Sequence, residues 1–223
     1  MSAPFDVGRA APTTLSAEER TLVRRAGTAL AVLGTGSLIG VSFSLVLVNH
    51  APLLLIALSP IGRHMLLVAP MVDPLAFAAV LVGRRMLFYV ASYHLGFGLG
   101  PAGIVWLEAR SRPMARFVRF VERWFARSPR AVVLLAAGPT VSSLAGMTRM
   151  PLRVFLSLAT VSLVIRVVAT IVLAEWLRVP IEALLELIDA YWLPGTVVLV
   201  AFVLGYRWWL ARTGLAAGAS MVD

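Results

Sequence analysis

The feature that most constrains this chain is a series of apolar stretches long enough to cross a lipid bilayer. Residues 26–48 contain no charged side chain, and residues 75–100, 152–177 and 191–210 are predominantly apolar. A helix of about twenty apolar residues spans the hydrocarbon core. A soluble domain of 223 residues needs more polar surface than a chain that is 60% apolar and 14% charged can supply. The sequence therefore predicts an all-α integral membrane protein.

The apolar segment 51–70 is too broken to be an ordinary span. Prolines interrupt it, and Arg63 and His64 lie just past Pro60. Irregular backbone within a membrane is tolerated only where it packs against protein or lines a cavity. We therefore predict a re-entrant hairpin with its tip near Pro60.

A second short apolar segment, residues 131–146, is interrupted by Gly138 and Pro139. It is too short to cross alone, and the same restriction on exposed backbone applies. We predict a second re-entrant hairpin with Pro139 and Ser142 at its tip. Ser142 either bonds to exposed backbone there or lines a path for substrate.

The arginines decide how many times the chain crosses. All 20 basic residues are arginine, and seven of them lie in residues 110–130. Cytoplasmic segments are enriched in basic residues. If both broken segments return to the side that they enter, four crossings place residues 110–130 inside and the acidic residues 179–190 outside. The other arginines then placed inside are Arg20, Arg24, Arg25, Arg149, Arg153, Arg207 and Arg212. We predict a multi-pass protein of the cell inner membrane with cytoplasmic N- and C-termini.

The remaining segments complete this organisation. The predicted parts are a polar cytoplasmic N-terminus (1–21), a single transmembrane domain (22–212) and a short tail (213–223). Thr14 or Ser16 is a candidate N-cap for a short helix before the first span. Gly36 and Gly40 have the spacing that permits close helix packing. Arginines and aromatic residues recur at helical spacing in residues 104–130, which predicts a basic amphipathic helix on the membrane surface.

Three motifs follow one another within residues 50–178. They are Tyr93-His94-Leu95-Gly96-Phe97-Gly98-Leu99-Gly100, then Phe120-Val121-Glu122-Arg123-Trp124-Phe125, then Leu144-Ala145-Gly146-Met147-Thr148-Arg149-Met150-Pro151 with Phe155 beyond. In order and spacing they resemble the Y-x-L-G-R-x-x-G pattern, the amphipathic linker and the A-G-x-x-x-M-x-x-x-x-F pattern of the DedA family. This family is the bacterial branch of the VTT (SNARE-associated) membrane proteins.

The resemblance implies a small helical bundle with two opposed re-entrant hairpins. It also implies movement of undecaprenyl phosphate or another phospholipid between leaflets. The chain departs from the family pattern at the hairpins: no glutamate follows Pro60, the second hairpin lacks the arginines of the R-F-x-P pattern, and Phe97 replaces the motif arginine. The chain therefore resembles a divergent member of the DedA family.

Five ionisable residues within apolar segments are candidate ligands for a lipid phosphate. They are Arg63, His64, Arg84, Arg85 and Arg166. Guanidinium groups bind phosphate in a two-pronged geometry, and charged residues inside a membrane are functional candidates. Arg166 lies mid-span and is expected to face a cavity.

For the other four residues, alternatives stay open. Arg63 and His64 either meet phosphate at depth or reach the headgroups from a shallow loop. Arg84 or Arg85 faces a polar cavity, pairing with Asp73 or Glu108, or both lie at an interface beyond a helix break at Gly83.

The leading functional hypothesis is a flippase or scramblase of DedA type. The alternative is a non-transporting membrane scaffold or accessory protein of the same fold. We do not expect an enzyme, because the sequence contains no G-x-S-x-G or H-E-x-x-H motif. No cofactor or metal is expected. The predicted partners are membrane lipids, anionic lipids or a polyprenyl phosphate among them, with no nucleic acid; a homo-oligomer is left open.

Overall fold

The computed structural model describes residues 16–100, 123–125 and 127–212, and over these residues all regular structure is helical. The α-helices are α1 (Ala17–Ser42), α2 (Ser44–His50), α3 (Pro52–Leu58), α4 (Gly62–Val68), α5 (Pro74–Leu99), α6 (Pro129–Ala136), α7 (Pro139–Met147), α8 (Leu152–Trp176) and α9 (Arg178–Arg212). A short 3-10 turn, Ala69–Met71, follows α4.

Three helices are long and apolar enough to cross a membrane within this part of the chain. They are α5, α8 and the Arg178–Tyr206 portion of α9. A fourth crossing is added if α1 and α2, which meet at an angle of 82°, form one broken span. The chain is thus an all-α protein over its described residues, with three to four helices of transmembrane length. The bounds of α5 and α8 lie within one residue of the predicted spans.

The first predicted span, residues 26–48, is not one straight helix. Phe43 leaves the helical conformation (φ −105°, ψ 20°), and α2 continues in a new direction. The bend contains no proline, so the local sequence does not force it. Packing of α2 on α9 accompanies it: Leu45 lies against Gly195, and Asn49 Nδ2 donates to Asp189 Oδ1 at 3.0 Å. The apolar run predicted the location of the segment but not its change of direction.

The acidic segment 179–190, predicted to be a connection between spans, is helical instead. It forms the first part of α9, and Arg178 bonds to Glu182 at 2.8 Å with the favourable i,i+4 spacing. The helix kinks at Tyr191 (φ −123°, ψ 20°), three residues before Pro194. A proline within a helix removes a hydrogen bond to the residue four positions earlier and clashes with its carbonyl, which explains the kink.

The start of α1 confirms the predicted cap at Ser16. Its hydroxyl accepts from the Glu19 amide at 3.2 Å, while the Glu19 carboxylate accepts from the Ser16 amide at 3.0 Å. This reciprocal pair is a capping box. The helix that it begins continues without interruption into the first span. Thr14, most of the predicted amphipathic helix and the C-terminal tail lie outside the described residues.

The chain divides into two compact units, and α1, α5 and α8 contribute to both. The first unit comprises residues 1–34 and 81–169. Its buried core contains residues from α5 to α8, namely Tyr89, Tyr93, Phe125, Val133, Ala137, Val141, Leu144, Ala145, Met150, Phe155 and Ala159.

The second unit comprises residues 35–80 and 170–223. Here α2 packs against α9 and α4, and α3 and α4 form a contacting pair joined by a short break. Val48, Leu55, Ile56 and Phe77 are among its fully buried side chains.

Candidate functional site

The break between α6 and α7 follows from Gly138-Pro139. Proline lacks an amide hydrogen and disfavours helical backbone at the residue before it. Gly138 is accordingly fully extended (φ −173°, ψ 175°), and Pro139 occupies the first position of α7, where proline is tolerated. Ser142 Oγ donates to the Gly138 carbonyl at 2.7 Å. The Gly138 oxygen also accepts from the Ser142 amide at 2.8 Å, so the hydroxyl adds a second bond to a carbonyl that already has a helical partner. A role of Ser142 in a path for substrate stays a prediction.

The same break leaves carbonyls at the end of α6 without helical partners. Arg166 of α8 supplies donors: Nη1 bonds to the Ala137 oxygen at 2.9 Å and Nη2 to the Leu135 oxygen at 3.0 Å. The hydroxyl of Tyr89 on α5 also donates to the Ala137 oxygen, at 3.1 Å. Cationic groups are favoured at helix C-termini by the helix dipole. Three donors from two helices thus hold the end of α6.

Arg166 lies near the middle of its helix. It is the fifteenth of the 25 residues of α8, about 21 Å from the first residue at 1.5 Å per residue. Neighbouring Ile165 and Val168 expose 57% and 54% of their surface. Leu135, one of its two carbonyl partners, is 78% exposed. The guanidinium therefore lies at the margin between buried protein and an apolar, exposed helix surface.

The crossing of α5 and α7 brings backbone against backbone. A Cβ atom on Gly96 would lie 2.0 Å from the Ser143 oxygen, and one on Gly146 would lie 2.0 Å from the Tyr93 oxygen. The Ser143 hydroxyl is shared between the Ser92 oxygen across the crossing, at 3.1 Å, and the Pro139 oxygen of its own helix, at 3.0 Å. Small residues permit this kind of approach between membrane helices. The two glycines come from the first and third sequence motifs.

The aromatic residues of the same motifs also meet. Tyr93 and Phe155 stack with ring centroids 5.0 Å apart, and the Tyr93 hydroxyl donates to the Met150 oxygen. Arg149 has a positive φ of 53°, and its guanidinium lies 4.8 Å from the ring centre of Phe97. The motif residues therefore form one packed junction between α5, α7 and the start of α8.

Arg84 and Arg85 lie on an uninterrupted helix, so the predicted alternative of a break at Gly83 is wrong. Arg84 is buried, and its Nη2 donates to the Leu33 carbonyl of α1 at 2.7 Å. Arg85 is half-buried. The Asp73 carboxylate caps α5, since its Oδ1 accepts from the amides of Leu75 and Ala76. Its predicted pairing with Arg84 or Arg85 stays a prediction. Glu108 lies outside the described residues.

The other two candidates, Arg63 and His64, lie in the first turn of α4, just after the break at residues 59–61. His64 is buried, and its Nδ1 lies 2.9 Å from the Ser59 oxygen. Nδ1 must carry the proton there, because a carbonyl only accepts. Nε2 then accepts weakly from Arg63 Nε at 3.4 Å, which assigns a neutral imidazole from its hydrogen bonds. His64 is thus buried within the protein, whereas Arg63 is exposed.

The break between α3 and α4 packs against α1 at Gly36 and Gly40, the glycines whose spacing permits close helix packing, and at Ser37 between them. Ser37 Oγ donates to the Leu58 oxygen at 3.0 Å. A Cβ on Gly40 would lie 2.7 Å from the Ser59 Cβ. The Gly36–Gly40 pattern therefore serves a close contact within this unit.

No protein-family model, curated protein or solved structure matches this chain. Any functional reading therefore rests on the residues and their geometry.

The candidate residues fall into two groups. Arg84, Arg85 and Arg166 belong to the first unit, whereas Arg63 and His64 belong to the second. Arg63 and Arg166 belong to different units, and binding of one lipid phosphate by both residues stays a prediction. In the part of the chain that the structure describes, no group of three or more acidic or histidine side chains is arranged to hold a metal ion.

Tyr89 is the residue of the site that sequence reasoning missed. It precedes Tyr93 by one helical turn, so both hydroxyls lie on one face of α5. The spacing of the two tyrosines could have indicated that their hydroxyls share a face of the helix. It could not have identified their acceptors, because these are backbone carbonyls, which every residue carries.

Proposed function

We propose that this chain is a divergent DedA-type protein of the cell inner membrane that moves a lipid phosphate between leaflets. The observation that carries the proposal is the position of Arg166. Its guanidinium lies mid-helix, at a break in a short helix pair, and two neutral carbonyls hold it. Phosphate oxygens accept stronger, charge-assisted hydrogen bonds than carbonyls do. The guanidinium would therefore give up a carbonyl partner to bind a lipid phosphate.

The helix lengths support re-entrant hairpins. At 1.5 Å per residue, α6 and α7 are each only about 12–14 Å long, less than half of a hydrocarbon core of about 30 Å. The two helices contact each other across the break. α3 and α4 form a shorter pair of the same kind. Each pair is long enough to enter the membrane and return, but its arms are too short to cross.

Contacts within each unit support the proposed orientation. Asn49 and Asp189, both placed outside by the charge argument, share a hydrogen bond in the second unit. In the first unit Glu19 and Arg149, both placed inside, form an ion pair at 3.7 Å. A topology that separated either pair across the bilayer would be incompatible with these contacts.

Membership of the DedA family is supported by the way its motifs pack. Gly96 and Tyr93 of the first motif meet Gly146 and Met150 of the third. If glycines and aromatic residues belong to the motifs because they permit close helix crossing and ring stacking, they should contact one another, as they do here. The resemblance therefore has a physical basis.

The test is transbilayer movement of phosphatidic acid carrying a fluorescent acyl chain in phosphatidylcholine liposomes. A membrane-impermeant reductant bleaches the label in the outer leaflet, so the protected fraction reports movement. We expect movement that depends on the protein and falls about tenfold or more in Arg166→Ala, because the loss of one charge-assisted hydrogen bond is about 1.5–3 kcal/mol. Arg63→Ala tests the proposed second ligand.

The matched control is Arg178→Ala, since that arginine is exposed and bonded to Glu175 and Glu182. It should retain full movement. Liposomes in which the unmodified chain moves no labelled lipid would refute the transport proposal. Equal movement by Arg166→Ala and Arg178→Ala would remove Arg166 from the phosphate site.

One observation favours the alternative of a non-transporting scaffold. Arg84 and Arg166 both have main-chain carbonyl partners, as a purely structural role requires. A scaffold predicts that Arg166→Ala lowers stability while no variant, nor the unmodified chain, moves lipid.

A further inference from the structure

The carbonyl of Ala137 is shared by two donors from different helices. Tyr89 donates from α5 and Arg166 from α8, at 3.1 and 2.9 Å. A carbonyl oxygen has two lone pairs, so both bonds can exist at once. The second arm of the guanidinium, Nη2, bonds to the Leu135 oxygen. The Ala137 oxygen thus accepts from two side chains, Tyr89 and Arg166, whereas the described side-chain donor to the Leu135 oxygen is Arg166.

The two ends of this arrangement differ in exposure. Tyr89 and Ala137 are both 2% exposed, whereas Leu135 is 78% exposed. A lipid headgroup approaching from the bilayer would therefore meet the Nη2 side of the guanidinium first. The Tyr89 bond lies on the buried side, out of reach of the lipid.

When Arg166 binds a phosphate, it leaves backbone carbonyls without a donor, which costs free energy. The Tyr89 hydroxyl lowers this cost. When the whole guanidinium turns toward phosphate, Nη2 leaves the Leu135 oxygen and Nη1 leaves the Ala137 oxygen. Without the Tyr89 hydroxyl, the Ala137 oxygen would then lose both of its described side-chain donors. An unsatisfied carbonyl away from water is unfavourable. With Tyr89 in place, the end of α6 keeps one bond while Arg166 changes partner.

We propose that Tyr89 is a positioning residue for the lipid-phosphate site: it holds the Ala137 carbonyl and so permits Arg166 to exchange a backbone oxygen for a headgroup oxygen. The ligand class is a lipid phosphate that reaches the site laterally from the bilayer. This inference rests on the proposed function, because it assumes that Arg166 binds the phosphate.

The chain supplies a matched pair of tyrosines for the test. Tyr93 lies one turn further along the same helix, is also buried, and donates to the Met150 oxygen, away from the break. Tyr89→Phe and Tyr93→Phe each remove one hydroxyl and one hydrogen bond to a buried carbonyl. Only the first removes a bond at the carbonyl that Arg166 would leave.

The measurement is apparent affinity for phosphatidic acid, titrated into phosphatidylcholine nanodiscs that hold the full chain. The shift in melting temperature with lipid concentration gives the affinity through linkage. We expect Tyr89→Phe to weaken affinity about tenfold, the effect of one net hydrogen bond, while its lipid-free melting temperature changes little. Tyr93→Phe should lower the lipid-free melting temperature and leave affinity within about twofold, less than the effect of one net hydrogen bond.

The outcomes separate the two proposals. Unchanged affinity in Tyr89→Phe, or an equal loss in both variants, overturns the role of Tyr89 while the binding by the unmodified chain still supports the proposed function. No preference of the unmodified chain for phosphatidic acid over phosphatidylcholine overturns both. If Tyr89→Phe fails to fold, replacing the hydroxyl by an amino group with 4-aminophenylalanine should retain a donor and the affinity; weak binding by that folded variant contradicts the inference.

Discussion

The close crossing of α5 and α7 gives the sharpest stability prediction. In Gly96→Ala the new methyl group would lie 2.0 Å from the Ser143 oxygen and 2.7 and 2.8 Å from the adjacent backbone carbons. Ordinary van der Waals contact begins at 3.4 Å, so α7 must move by more than 1 Å. Backbone cannot rotate away as a flexible side chain does. The whole crossing, including the Ser143–Ser92 hydrogen bond, must therefore open.

The cost can be estimated from known cases. Overpacking a core costs about 1–3 kcal/mol, and a hydrogen bond between membrane helices contributes about 0.6–1.7 kcal/mol. We expect Gly96→Ala to lose about 2–4 kcal/mol of unfolding free energy on these grounds. Gly83→Ala is the matched control on the same helix, because nothing lies within 4 Å of its Cβ position. Alanine there should be neutral or stabilising by up to about 1 kcal/mol through helix propensity.

The assay is unfolding of each variant by sodium dodecyl sulfate in mixed micelles, followed by tryptophan fluorescence. We expect Gly96→Ala to unfold at a clearly lower detergent fraction than Gly83→Ala. Stabilities that agree within about 0.5 kcal/mol, the range of an ordinary surface substitution, would show that the backbones of α5 and α7 do not touch at Gly96.

Three further substitutions test other parts of the fold by the same unfolding assay. Gly40→Ala should cost about 1–3 kcal/mol, because the methyl group would lie 2.7 and 2.9 Å from the Cβ atoms of Ser59 and Leu58, which side-chain rotation cannot move. Equality with Gly34→Ala, where space is open, would contradict the contact. Asp73→Ala should cost about 1 kcal/mol through loss of the α5 cap, and Asp73→Asn much less; equal losses would argue against capping. Arg178→Ala should leave the unfolding midpoint close to that of the unmodified chain, because its ion pairs are exposed, and a clear loss of stability would indicate a buried role.

Much of the fold was predictable from hydrophobicity and charge. Apolar runs give α5 and α8 to within a residue, because the length of a membrane helix is set by the bilayer itself. Gly138-Pro139 predicted a break for a local steric reason, and the break is there. Ser16, one of the two candidate caps, is the helix cap, whereas the reciprocal bond from Glu19 was not predicted.

Other features depend on tertiary packing and left little trace in the sequence. The bend at Phe43 accompanies contacts with a helix about 150 residues further along the chain. The acidic residues after Arg178 suggested a loop, yet their spacing with that arginine suits a helix. The partners of Arg84, Arg166 and Tyr89 are backbone carbonyls, which no residue type identifies in advance.

The central claim is that the segment containing α6 and α7 leaves the membrane on the side where it enters, because the depth of Arg166 and its site depend on it. The chain contains no cysteine, so single cysteines can be introduced directly and labelled with a membrane-impermeant maleimide in vesicles of known orientation. Ser128→Cys and Thr148→Cys flank the segment at exposed positions, and Glu186→Cys reports the opposite side. We expect Ser128→Cys and Thr148→Cys to be labelled from the cytoplasmic side and Glu186→Cys from the other side. Labelling of Ser128→Cys and Thr148→Cys from opposite sides would contradict it.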